Sequence, residues 1–336
     1  MPILDNEIIW RPAALMSDTL ASQNGGRMAF AQLVSGVKNN LFPDVSQSER
    51  MAGAVKWRKA FIHISSAQES ALLNARLFLD AQTPAGDFVL FYPGTQTDTQ
   101  DQVASRPYGI GTLWANASNG ATQLRVACEH NAEYENLRPF RAGDLIRVAD
   151  RPSTGGPGNE EWVLLSNVSF GADYATIDLA APLINAYTVS STLVSAVFER
   201  GSTSAAVSNV VLTSGAGTLD SATLGNLIAN AKGAIEQHWT LTFTGSTIFT
   251  ASGLTVGALT EGGATSADFQ PKNPATGTPY FTIKASAWGG SFQAGDQLVF
   301  DTTPAAIPIW YRRQVPAGTF SLANDFASLA IHGESA

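Results

Sequence analysis

Bond-making chemistry in this chain would have to start from four histidines, one cysteine and a few paired acids. His63, His130, His238 and His332 are scattered, with no H-x-x-x-H or H-x-H spacing and no Cys/His grouping, so no zinc-type ligand set is spelled out. Cys128 is the sole cysteine; it excludes an internal disulfide and reads as a buried or half-buried strand thiol. Asp144 and Asp296 form the most symmetric acidic pair, but each follows Ala-Gly, a turn setting in which a carboxylate bonds nearby amides. Glu160 and Glu161 are adjacent and alternate across a strand start, which keeps them from converging on one glycosidic bond. The run Ser153-Thr154-Gly155-Gly156-Pro157-Gly158 lacks the Lys-Ser or Lys-Thr of a phosphate loop, and Pro157 removes an amide that such a loop needs. The expectation is no catalytic, cofactor-binding or metal-ligating residue, no cofactor, and no enzyme.

Cations beside aromatic rings offer a second kind of chemistry. Lys56, Arg58 and Lys59 surround Trp57, and Arg312-Arg313 follow Trp310-Tyr311. Such groups hold nucleic acid by stacking and phosphate contact, yet the chain carries a net charge of −8. The clusters are therefore expected to make inter-subunit ion pairs or a solvated strand edge. Trp114, Trp162, Trp288 and Trp310 are candidates for stacking on sugar rings, or else for the core.

The elements that must position these residues are short. Of 336 residues, 44% are hydrophobic and 14% charged, with 30 Gly and 16 Pro; the charged share is well under the roughly 25% of ordinary soluble domains. Apolar content at this level argues for a packed fold, and Gly, Pro, Ser and Thr favour strands and turns. The start, Met1-Pro2-Ile3-Leu4-Asp5-Asn6-Glu7, lacks the basic region of a signal peptide, and no membrane partner is expected.

Ser46-Gln47-Ser48-Glu49 has capping-box spacing for a short helix reaching about Val55. From Trp57 the period is about two, with Arg58, Ala60 and Ile62 opposite Trp57, Lys59, Phe61 and His63. Further strands are predicted at 77–79, 88–92, 123–128, 145–148, 161–168, 175–179, 239–243, 281–283, 297–300 and 307–311, with a hairpin-type turn at Asn119-Gly120. One helix is expected from Asp220 to Gly233, with Leu224, Leu227, Ile228 and Ala231 on one face.

The fold class implied is mainly β: two tandem β-sandwich or barrel-like modules, an irregular N-terminal arm and a few short helices. The arm with its short helix takes 1–55, a first β module with an insertion takes 56–205, and a second module containing the helix takes 206–336. Phe140-Arg141-Ala142-Gly143-Asp144 is echoed by Phe292-Gln293-Ala294-Gly295-Asp296, and Trp57-x-x-x-Phe61 by Trp239-x-x-x-Phe243. Duplication of one module is one explanation and chance the other.

Several blocks resemble a family of tailed-bacteriophage virion structural proteins. They are Asn24-Gly25-Gly26-Arg27, Ser35 through Val45, Trp57-Arg58-Lys59-Ala60-Phe61, Pro93-Gly94-Thr95-Gln96-Thr97-Asp98-Thr99-Gln100, Glu236 through Phe243, and Trp288-Gly289-Gly290 with Pro308-Ile309-Trp310. The resemblance implies a virion structural part, assembled in the bacterial host cytoplasm; the tandem β modules, the arm and the negative charge favour a tail tube over a baseplate, neck or other tail component, with a head or decoration protein behind them. Its partners would be copies of itself in homo-oligomeric rings, other tail proteins, and DNA passing without specific binding. Two modules per chain would let three subunits close a six-module ring. The alternative is a glycan-binding β module at a virion tip.

Overall fold

The computed structural model describes residues 2–128, 132–151, 158–323 and 325–336. His130 and residues 153–157 of the glycine-rich run lie outside them. The fold is mainly β, built of antiparallel sheets and one closed six-stranded barrel with few short helical turns.

The chain opens with β1 (Ile8–Leu15), β2 (Gly25–Met28), helix α1 (Gln47–Ala52), β3 (Ala54–Ile64), β4 (Leu72–Ala81) and β5 (Phe88–Pro93). Next come β6 (Ile110–Leu113), β7 (Gln123–Ala127), β8 (Leu145–Asp150), β9 (Glu160–Phe170), β10 (Ala175–Leu179) and β11 (Thr192–Ala196). β12 (Phe198–Thr203) and β13 (Ala206–Thr213) lead into β14 (Thr218–Leu219), β15 (Leu227–Ala229), β16 (Gln237–Phe243), β17 (Ile248–Gly253), β18 (Gly257–Ala258) and β19 (Gly263–Ala264). β20 (Phe281–Ile283), β21 (Trp288–Gly289), β22 (Gln297–Thr303), β23 (Ala306–Val315) and β24 (Ser328–Ser335) complete the order.

Three large cores follow from the pairing, with smaller clusters around Trp310 and around Phe78. Sheet β2-β1-β3-β23-β5 and sheet β12-β4-β24 share one, built on Ile62, Ile64, Leu77, Leu79, Phe91, Ile307 and Ile309. β6 to β11 close a barrel in the order β10-β7-β6-β11-β8-β9 around Leu124, Val126, Ile146, Val148, Ile177 and Val194. Sheet β13-β22-β16-β17-β18 buries Trp239, Phe243, Phe249, Phe281 and Phe300. The connectivity is nested: the barrel is inserted between β5 and β12, and the third core between β12 and β23. The 205/206 boundary is a true change of sheet, since β12 pairs β4 and β13 pairs β22. The predicted 206–336 module, however, gives up its last two strands: β23 pairs along β3 from Ala306↔His63 to Val315↔Ala54, and β24 pairs β4.

Residues 1–55 are irregular between Ala29 and Ser46 but are not a free arm, since their first strand is part of the central sheet. β1 pairs β3 from Ile8↔Ile64 to Pro12↔Ala60, and this segment lacks alternation because it is a sheet strand interrupted by Pro12. α1 does form, and its capping box is intact: the Glu49 N–H donates to Ser46 Oγ (3.2 Å) and the Ser46 N–H to Glu49 Oε2 (2.7 Å). It stops at Gly53, where φ is +80°.

The predicted Asp220–Gly233 helix is absent. Asp220 Oδ1 does accept the Ala222 and Thr223 amides as an N-cap would, but Gly225 at φ +90° turns the chain away, and Leu227–Ala229 pairs β20 instead. Leu224 ends 98% exposed while Leu227 is buried, so the presumed apolar face never exists. Pairing with a distant strand outweighs a weak helical preference here.

The Phe-x-Ala-Gly-Asp echo has one geometry in two wirings. In each copy the Asp N–H donates to the carbonyl three residues back (3.1 Å), and the Asp carboxylate accepts that residue's N–H (2.8 Å for Arg141, 3.0 Å for Gln293). Gly143 and Gly295 take φ of +89° and +97°, as the third position of a type II turn requires. The strand leaving the first turn pairs β9, which follows it; the strand leaving the second pairs β16, which precedes it. Common turn chemistry accounts for the echo, and a duplicated module is not needed.

Candidate functional site

The most concentrated set of sequence-marked residues meets where β3 passes β23. Lys59 sits on β3 with both neighbours paired, and its ammonium is enclosed. Nζ lies 2.7 Å from Asp98 Oδ1 and donates to the Gly26 carbonyl (2.6 Å) and the Asp98 carbonyl (3.0 Å). Trp310 Nε1 donates to the other carboxylate oxygen, Asp98 Oδ2, at 2.8 Å. Asn24 Nδ2 bridges the Trp57 carbonyl (3.0 Å) and Gln100 Oε1 (2.9 Å). A Cβ at Gly25 would fall 2.4 Å from the Trp310 ring, so only glycine fits between loop and indole. Burial pulls the Lys59 amine below its ordinary value, against the Asp98 hydrogen bond and charge.

The cations predicted to pair between subunits pair within the chain. Arg58 reaches Asp18 at 2.5 Å, and Lys56 reaches Glu49 at 2.6 Å. The Lys56 hydrogen bond, joined by the Ser46 N–H and opposed by burial, holds the Glu49 carboxyl down to about 2. Arg313 donates to the Pro43 carbonyl (2.8 Å) and stacks on Phe42. Lys56, Arg58 and Lys59, already matched to carboxylates, have little charge left for a phosphate backbone. Their chemistry here is to tie loops 16–30 and 93–102 to the central sheet.

The other candidates separate. Asp144 is clamped by Arg106 and Asp296 by Ser214 Oγ (2.6 Å), each in its own turn. Glu160 binds Arg147 and Trp162 Nε1, whereas Glu161 accepts from the Ile184 and Asn185 amides and Tyr187 Oη. His238 pairs with Asp301 at 2.6 Å on an exposed strand face, and His332 lies beside Trp162. Cys128 is half-buried next to the barrel core. Trp310 is buried and Trp162 and Trp288 are partly so; Trp114 is 49% exposed, with its ring 5.8 Å from Tyr174. Arg125 lies over that tyrosine.

Two titratable groups, the buried His63 and the half-buried Asp325, have surroundings that the sequence does not announce. His63 is fully buried; its Nδ1 accepts from Arg11 Nε (2.8 Å), which leaves Nε2–H to donate to the Ala231 carbonyl (2.7 Å). Burial, with Arg11 nearby and only the Ala231 bond opposing, pushes its pKa down to about 4. Asp325 is pushed up to about 6, by burial first and then by Asp87 beside it, with Arg313 pulling the other way. Partners 168 residues away for His63, and an acid far downstream for Asp87, leave no local signal in sequence.

Comparison of the chain with protein-family models, with curated proteins and with solved structures finds no match.

Proposed function

We propose that the chain is a structural subunit of a bacteriophage tail, in the first place the major tail tube protein, acting through packing against copies of itself and other tail proteins around a DNA conduit. One observation carries the assembly reading: exposed apolar side chains gather at one end of the β2-β1-β3-β23-β5 sheet. Met16 and Leu20 flank Asp18, which binds Arg58 on β3. Met51 lies on α1, whose Arg50 carbonyl accepts the Gly318 amide, bringing up the segment that bears Phe320 and Phe326. Met51 is 72% and Phe326 62% exposed. A solvated apolar group of this kind marks a protein contact surface, and virion identity comes from the resemblance of the Asn24, Trp57 and Pro93 blocks. The nested topology removes the argument for three two-module subunits per ring, so no stoichiometry is proposed.

The second reading, a baseplate, neck or tip component with a glycan-binding face, is favoured by the Trp114–Tyr174 platform on the barrel, since tilted aromatic rings at a surface suit sugar stacking. Sedimentation velocity of the wild type and a Met51→Lys, Phe326→Lys variant tests the first reading. Wild-type association that the variant abolishes supports it. A wild type that stays monomeric at high concentration, with glycan binding lost in Trp114→Ala, moves the function to the second.

A further inference from the structure

Between β1 and the third core lies a cavity of about 270 Å³, lined by Arg11, Phe30, Ser65, Lys232, Thr276 and Thr278. Arg11 is only 8% exposed, yet neither it nor Lys232 makes an ion pair among the described residues. A guanidinium taken so far from water without a carboxylate is costly. Arg11 uses Nε on His63 and Nη1 on the Phe30 carbonyl, with its guanidinium over the Phe30 ring. A guanidinium carries five N–H donors, so three remain.

The Glu7 and Glu69 carboxylates lie within electrostatic reach of Lys232 but spend their hydrogen bonds elsewhere. Glu7 accepts the Leu4 and Ala67 amides, and Glu69 accepts Asn230 Nδ2 and the Ala231 amide. The Thr276 and Thr278 hydroxyls lie 2.8 Å apart, so one O–H donates to the other and one hydrogen of the pair remains free. Two cations and spare hydroxyl donors therefore face one polar cavity from three separate segments, in a chain whose net charge is −8.

We infer that this cavity binds a phosphate-class oxyanion, held by the Arg11 guanidinium and the Lys232 ammonium with hydroxyls of Ser65, Thr276 or Thr278 completing the shell. Donors converging from three sides suit a tetrahedral oxyanion better than a planar carboxylate. The site joins β1 to the Asn230–Gly233 turn, so the ion would brace the seam between two cores. This site is independent of the assembly reading.

Isothermal titration of the full chain, at constant ionic strength in chloride, tests it with two probes: inorganic phosphate and a ten-nucleotide oligothymidylate. Saturable one-to-one binding of phosphate is expected, weakened roughly tenfold in Lys232→Met, a loss of about 1.4 kcal/mol, and restored in Lys232→Arg. Phosphate binding alone assigns the site to the free ion; oligonucleotide binding that phosphate displaces assigns it to a polynucleotide. No saturable heat from either probe, tighter binding of acetate than of phosphate, or equal binding by Lys232→Met overturns the inference.

Discussion

Lys59 and Asp98 form an ion pair of 2.7 Å whose side chains are 0% and 9% exposed. The pair joins three segments that carry sequence-marked blocks, because the same carboxylate receives Trp310 Nε1 and the same ammonium binds the Gly26 carbonyl. Removing one partner leaves a buried charge unmatched, at a cost of about 3–5 kcal/mol. Lys59→Met is expected to lose stability in that range by urea denaturation, and Lys59→Met with Asp98→Asn to recover part of it. A single variant within 1 kcal/mol of wild type, roughly the value of an exposed pair, would contradict a supporting role.

His63 sets an acid-side dependence. The unfolded chain protonates this imidazole near its ordinary 6.5, the folded chain only near 4. Between those values the unfolded state binds the extra proton, so stability is complete above about pH 6.5 and falls as pH drops toward 4, by about 3 kcal/mol. His63→Gln keeps a donor for the Ala231 carbonyl and an acceptor for Arg11. Its unfolding free energy, followed by denaturant titration from pH 7 to 4, should lose this part of the slope; an unchanged slope would contradict the assignment.

Asp325 acts in the opposite sense. Its folded-state pKa is raised from 3.8 to about 6, so the stability it contributes is present below pH 3.8 and is lost as pH rises through 6. Asp325→Asn should therefore be more stable than wild type at pH 8 and close to it at pH 4. Equal stability offsets at both values would contradict the raised Asp325 carboxyl.

Deleting residues 1–45 removes β1, the Asn24 bridge and the Gly26 carbonyl that binds Lys59. The truncated chain is expected to lose cooperative unfolding by circular dichroism. A soluble, cooperatively folding product would mean that this segment is a dispensable arm after all.

The strands legible in sequence were those with apolar runs bounded by turn residues, such as β5, β10 and β20. β1 was not, since Pro12 and two successive alanines break its pattern. On β3 the alternation located the strand but said little of its environment: Arg58 to Ile64 are all buried, because β1 and β23 flank it and both faces are covered. Turn chemistry read well locally: Asp144, Asp296 and Ser46 bond as their spacing implied. The ion pairs did not, because Lys59 meets Asp98 and Trp310 meets Asp98 across 39 and 212 residues, and sequence adjacency suggested neighbouring subunits instead. The helix at 220–233 failed for the same reason, as β20 lies over fifty residues downstream.

Assembly of this polypeptide with copies of itself is the proposal on which the tail reading rests. Negative-stain electron microscopy of the purified wild-type chain tests it most directly. The account predicts rings or tubes of one fixed diameter; a field of uniform particles the size of a single chain at every concentration would contradict it.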